Sequence, residues 1–315
     1  MQKLRCVSPG VNKLIETWRG EALAWEADEL GHMNMRYYFD RAHEARARFA
    51  HSLGLPHIYK TSSLSTIVPT KQHIKYIKEV RPGHGMAVQS GVVALGETDI
   101  TLIHIISGNN DSLAATITET LSHVAVRTGI KFSWSKRTKR LAAQHIVDLP
   151  DKAKPRNIDP NEQAGLPTMD DADILGLQTI GRGVFRPSEC DVFGHVLPTA
   201  IIGRVSNSTQ HLKSAWPDLD FASDDGMSGA LLEACARHKL RPKAGDLYEI
   251  RSGLRSASTH TRELCHWILD PVSGKCWTSF TGSGCRFNLK TRRLVKIDDN
   301  ALAALKLGIV GGLKP

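Results

Sequence analysis

The chain has 315 residues, enough for two average domains, with 41% hydrophobic and 23% charged residues, a balance that excludes disordered and fibrous classes. No apolar run approaches the ~20 residues that cross a bilayer, and residues 1–20 lack an uninterrupted apolar core, so neither a membrane span nor a secretory leader is expected. The net charge of +9 suits an anionic ligand, but without zinc-finger spacing or an aromatic RNA-binding signature nucleic acid is not an expected partner.

Six scattered cysteines (Cys6, Cys190, Cys235, Cys265, Cys276 and Cys285) form no C-x-x-C pair. Neither a metal site nor a disulfide framework is expected, and a reduced cytoplasmic setting is.

Residues 17–27 read as a strand with small and aromatic residues interleaved. Asp28-Glu29-Leu30-Gly31-His32-Met33-Asn34 follows, placing a carboxylate, a glycine turn and a helix-capping amide within seven positions. Tyr38, Ala42, Ala45, Phe49 and Leu53 then recur at helical spacing, which predicts a helix from Met35 to about Ser52, stopped by Gly54 and Pro56. Four extended runs come next, Ile74–Val80, Met86–Leu95, Ile100–Ser107 and Leu113–Leu121, separated by Gly-, Asn- and Asp-rich turns. A strand, a long helix and an antiparallel meander predict an α+β unit, with the helix packed across a curved sheet.

The pattern then returns. Arg19-Gly20, Asp28, Gly31, His32 and Arg41 recur 163 positions later as Arg182-Gly183, Asp191, Gly194, His195 and Arg204. Arg81-Pro82, Ser90-Gly91, His104 and Thr116 recur as Arg241-Pro242, Ser252-Gly253, His266 and Thr278, with small slips that loop-length changes would give. Two copies of one domain are predicted, over 10–140 and 175–297, with a linker over 141–174 and a tail over 298–315 in which 300–307 could form a short helix. In the second copy the helix opposite Met35–Ser52 is less regular, because Ser206, Asn207, Ser208, Thr209 and Gln210 are middling helix formers.

Asp28-x-x-Gly31-His32-Met33-Asn34 before an aromatic-rich helix, Leu53-Gly54-Leu55-Pro56 after it, and Ala115-Thr116 to His123-Val124 before a basic segment resemble the hotdog-fold thioesterases of the 4-hydroxybenzoyl-CoA thioesterase type. The resemblance covers nearly all of both halves. It implies two tandem hotdog domains in one chain and an acyl-CoA substrate, with coenzyme A as part of that substrate and no separate cofactor. A two-copy chain can pair further, so a homo-oligomer stays open.

A thioester hydrolase must deliver a nucleophile or activated water to the carbonyl and stabilise the oxygen that becomes negative. Asp28 is the candidate for the first task. Backbone amides near Asn34 and Met35, at the positive end of the helix, are candidates for the second. His32 could orient substrate, donate a proton or brace the turn; Asn34 suits a helix cap more than a substrate contact. In the second copy Asp191 and His195 persist, but Leu197 cannot cap and Pro198 has no N–H. That site is expected to be weakened or retired, with Asp191 a structural remnant or, alternatively, a second active centre, and with Asp191 and His195 as candidate substrate contacts. His73, Lys75 and Lys78 are read as sharing one strand face and are candidate phosphate contacts, as are basic clusters at 131–140 and 286–293, though a solvated surface explains such clusters more often. A hotdog hydratase is the competing enzyme class, disfavoured by the spacing of four from Asp28 to His32 and by Gly31 before the histidine. A non-catalytic acyl-CoA binding protein is the competing non-enzyme.

Overall fold

The computed structural model describes residues 14–214, 227–288, 290–291 and 293–315. Residues 1–13, with Cys6 and the first positions of the expected unit beginning at 10, and Arg292 lie outside the described residues.

The first half runs β1 (Ile15–Glu21), α1 (Met35–Ser52), β2 (Ser65–Tyr76), β3 (Gly85–Leu95), β4 (Asp99–Ser107) and β5 (Leu113–Ala125). After α2 (Lys136–Ala143) and α3 (Met169–Ile174), the second half repeats it with β6 (Gln178–Val184), α4 (Pro198–Asn207), β7 (Met227–His238), β8 (Leu247–Ala257), β9 (Thr261–Leu269) and β10 (Cys276–Asn288), and α5 (Asp299–Leu307) follows. All ten strands join one sheet in the order β1-β3-β4-β5-β2-β7-β10-β9-β8-β6. The chain is two tandem hotdog units of the α+β class.

β2 and β7 would each be an exposed edge of a lone unit. They pair with one another, Lys71 to Lys75 against Arg237 to Glu233, so each half covers the other's unpaired backbone groups. Ile74 points into the core shared with Tyr38, Phe39, Ala42 and Ala45 of α1. Strand alternation turns His73 and Lys75 to the opposite face, where the connector crosses: Lys75 Nζ donates to Lys154 O at 2.6 Å and Arg237 Nη2 to Asp159 O at 2.8 Å. The helices α1 and α4 pack on each other over the other face. Gly203 permits this, since a Cβ there would lie 3.0 Å from Arg36 Nη1 and 3.2 Å from its Cδ.

Sequence pattern and structure part at three places. The strand read over 17–27 ends at Glu21, because Glu26 Oε2 accepts from Leu23 N at 3.0 Å and closes a turn. β2 starts at Ser65, well before Ile74, because the bulge between Pro69 and Lys71 accommodates a proline that would otherwise break a strand. One extra residue between β9 and β10 shifts the repeat: Ile117 faces His104 and Phe280 faces His266, which matches Thr116 with Ser279 rather than Thr278.

Both copies bury the same ion pair behind the motif. Arg41 Nη2 lies 2.5 and 2.6 Å from the Glu26 oxygens, and Arg204 Nη2 lies at the same distances from Glu189. Each ties the turn before the motif to its helix. Ser90 to His104 (2.7 Å) and Ser252 to His266 (2.5 Å) also recur, giving each strand histidine a local partner.

Candidate active site

The Asp28 turn is built from its own backbone. Asp28 Oδ1 accepts from Leu30 N at 2.9 Å and His32 N at 3.1 Å, while Gly31 N donates to Asp28 O at 3.0 Å. Gly31 sits at φ +72°, a conformation that costs glycine nothing. The carboxylate is thereby fixed, and among the described residues its Oδ2 has no hydrogen-bond partner.

Asn34 caps α1, its Oδ1 accepting from Arg36 N at 3.1 Å. Its Nδ2 donates to Ser206 Oγ at 2.8 Å, linking the helix start to the other half. The Met35 N–H opens the helix, so it has no intrahelical partner, and no other hydrogen bond to it occurs among the described residues. The positive end of the helix dipole reinforces that donor.

His32 is 8% exposed, with Nε2 3.1 Å from Glu79 Oε2 and 3.4 Å from Arg81 Nη2. Tyr38 and Tyr76 meet edge to face at 5.2 Å, and Tyr76 donates to Met35 O at 3.4 Å. Burial pushes both phenols well above their usual range, so they stay protonated donors.

These groups line a groove of about 900 Å³, walled by both halves: Asp28, His32, Asn34 and Met35 on one side, Ser206 and Leu231 on the other. That size falls within the ~300–1,000 Å³ typical of ligand sites.

The second copy keeps the turn and loses the rest. Asp191 Oδ1 accepts from Phe193 N and His195 N, both at 2.9 Å, and Gly194 sits at φ +80°. Here, however, Asp191 Oδ2 is 3.2 Å from Arg241 Nη2. Leu197 offers no cap and Pro198 no donor. His195 Nδ1 lies 4.0 Å from Asp191, and burial, then Arg241, lowers the histidine's pKa so that it is held neutral. The adjoining cavity is only about 50 Å³ and is lined by side chains including His43 and Arg46.

Asp28, His32, Asn34 and Met35 thus converge on one groove. Asp191 lines the other, much smaller cavity, and His195 belongs to its turn without lining that cavity. His73 and Lys75 are in neither: His73 Nε2 is 2.7 Å from Glu233 Oε1 at the β2–β7 seam, and Lys75 holds the connector. Alternation along β2 correctly puts them on one face, but that face lies under the connector. Among the site residues not anticipated are Glu79, Arg81 and the second-half wall. A signal existed for Arg81, since Arg81-Pro82 recurs as Arg241-Pro242; what it touches depends on tertiary geometry.

Residues 22–157 match the model of the thioesterase-like superfamily. An acyl-ACP thioesterase from Bacteroides thetaiotaomicron superposes with a TM-score of 0.61 at 12% identity, covering 87% of this chain and 98% of that one. The 12:0-ACP thioesterase from Umbellularia californica gives 0.63 at 11% identity, covering 87% and 95%. At such identities the likeness is one of fold. No curated protein matches the sequence.

Proposed function

We propose that this tandem hotdog chain hydrolyses an acyl-CoA thioester to the free acid and CoA, in the groove beside Asp28. One observation carries the reading: a carboxylate clamped by its own turn, with one oxygen free, lines the same groove as an uncommitted N–H at a helix start. Asp28 acts as general base on a water that displaces the CoA thiolate, or attacks the carbonyl itself, breaking the C–S bond and expelling that thiolate to give an acyl-enzyme anhydride that water opens to the free acid and the Asp28 carboxylate. The Met35 N–H receives the developing oxyanion, a donor worth ~10²–10³ in rate where such groups have been removed. Asn34 holds that amide in place, and His32, braced by Glu79 and Arg81, forms the wall beside the carboxylate. Lys78, which lines the groove, supplies positive charge for the CoA phosphates. No cofactor is required, because CoA arrives with the substrate.

The setting proposed is the reduced cytoplasm. Cys190, Cys235, Cys265, Cys276 and Cys285 are all free thiols, and no helix among the described residues is long and apolar enough to cross a membrane.

A panel of acyl-CoA esters, with thiol release followed by a thiol reagent, tests the reading. Multiple turnovers on at least one ester are expected. Tight binding of every ester with no thiol released would overturn hydrolysis in favour of a carrier. The same acyl groups presented on acyl-carrier protein decide the thiol carrier, with faster turnover expected from CoA.

A further inference from the structure

The two halves place the same positions around their motifs and fill them differently. The cavity beside Asp191 is closed by His43, Arg46 and Ile67 of the first half. The groove beside Asp28 is lined at the matching positions by Ser206, Thr209 and Gly229 of the second. The matching is positional. His43 and Arg46 follow Asn34 by the same steps as Ser206 and Thr209 follow Leu197, and Ile67 and Gly229 are each the third residue of β2 and β7.

Arg46 can be buried in the first half only because Glu119 of β5 lies 2.7 Å away. At the equivalent position β10 carries Gly282, so the second half lacks the cation and its counter-ion together. Three large side chains are replaced by small ones, and the space beside the motif grows from about 50 to about 900 Å³. The Thr209 hydroxyl is spent on Ser206 O at 2.6 Å and the Ser206 hydroxyl accepts from Asn34 Nδ2 at 2.8 Å, while Ala230, Leu231, Leu232 and Phe287 give an apolar lining beside the polar Asn207, Gln210 and Ser228.

We infer that the space vacated around Ser206, Thr209 and Gly229 is the acyl pocket of the Asp28 site, that it takes an apolar acyl chain, and that Gly229 limits the chain's bulk. This rests on the groove being the reaction site. Gly229 lies in a strand without a left-handed φ, so a β-branched side chain is compatible with its backbone.

The test is Gly229→Ile, which installs the first half's own residue at the matching position. Binding of two non-hydrolysable thioether analogues, dodecyl-CoA and butyl-CoA, is measured by calorimetry on wild type and variant, beside thiol release from the corresponding esters. Wild type is expected to favour the dodecyl analogue, and the variant to lose at least about tenfold of that preference, since excess bulk in a packed site commonly costs that much or more. An unchanged dodecyl-to-butyl ratio in a variant that melts like wild type overturns the assignment, as does a wild type indifferent to chain length. Should Gly229→Ile fail to fold, Gly229→Ala reads the same ratio with a smaller shift, and no shift there counts equally against it. Chain-length discrimination without thiol release would instead refute hydrolysis and leave the pocket standing.

Discussion

Met35 and Pro198 hold the same place at the start of α1 and α4, and the chemical difference that matters between them is one N–H. Proline is well tolerated at the first helical position, so Met35→Pro removes the proposed oxyanion donor with little damage to the helix. Turnover is expected to fall ~10²–10³-fold while the melting temperature stays near wild type; undiminished turnover in a folded variant would remove Met35 from the mechanism. The reverse change, Pro198→Ala, is expected to awaken nothing, because Asp191 Oδ2 is already engaged by Arg241 and the adjoining cavity holds only about 50 Å³. The loss of donor at Pro198 and of cap at Leu197 was legible in the sequence. The fate of the arginines was not: Arg81 and Arg241 recur in sequence, yet one guanidinium reaches His32 and the other Asp191.

Among the elements, α1 is where sequence and structure agree best, with both bounds as read, because an apolar stripe, an asparagine cap and a glycine stop all point the same way. α4 is shorter, ending at Asn207, since Ser208 Oγ donates to Arg204 O at 2.8 Å and Thr209 Oγ1 to Ser206 O at 2.6 Å, and these side chains compete with the helix ladder. The Arg46–Glu119 link between α1 and β5 could not be read from one strand's pattern, because alternation puts Glu119 on the face of Ile117 and Leu121 but does not say which cation meets it there. Glu119 is fully buried, accepting from Arg46, His104 and Gln72. Arg46→Met is expected to cost about 3 kcal/mol in urea unfolding, the low end for breaking a buried pair, because two donors remain. Adding Glu119→Leu should restore much of that loss; a single variant as stable as wild type would show that the pair contributes nothing.

Over the whole molecule, the continuous sheet makes each half the other's edge, and Glu233 is its central tie. It accepts from His73 across the seam and from Arg156 N and Asn157 N of the connector, at 2.7, 3.0 and 2.6 Å. Burial raises its pKa, but His73 and the two amides outweigh that and hold it below the usual range. Acid stability follows from the buried groups. Burial lowers His43, His238 and His266 from 6.5 to about 4, so they fold neutral. A depressed folded pKa means stability that is complete above 6.5 and lost as pH falls toward about 4. Glu119 and Glu233 extend the loss to lower pH, since their stability is present above the ordinary 4.5 and disappears as they protonate. Acid unfolding followed by circular dichroism is therefore expected to begin within the histidine window, and stability unchanged down to pH 4 would contradict it. The same duplication that stabilises the sheet leaves one motif beside a groove of about 900 Å³ and the other beside a cavity of about 50 Å³, and the proposed function places the chemistry at the first. The decisive comparison is thiol release by Asp28→Asn and Asp191→Asn against wild type on the best acyl-CoA ester. Asp28→Asn should abolish turnover and Asp191→Asn should leave most of it, with both variants folded; equal losses from the two would contradict a single working site at Asp28.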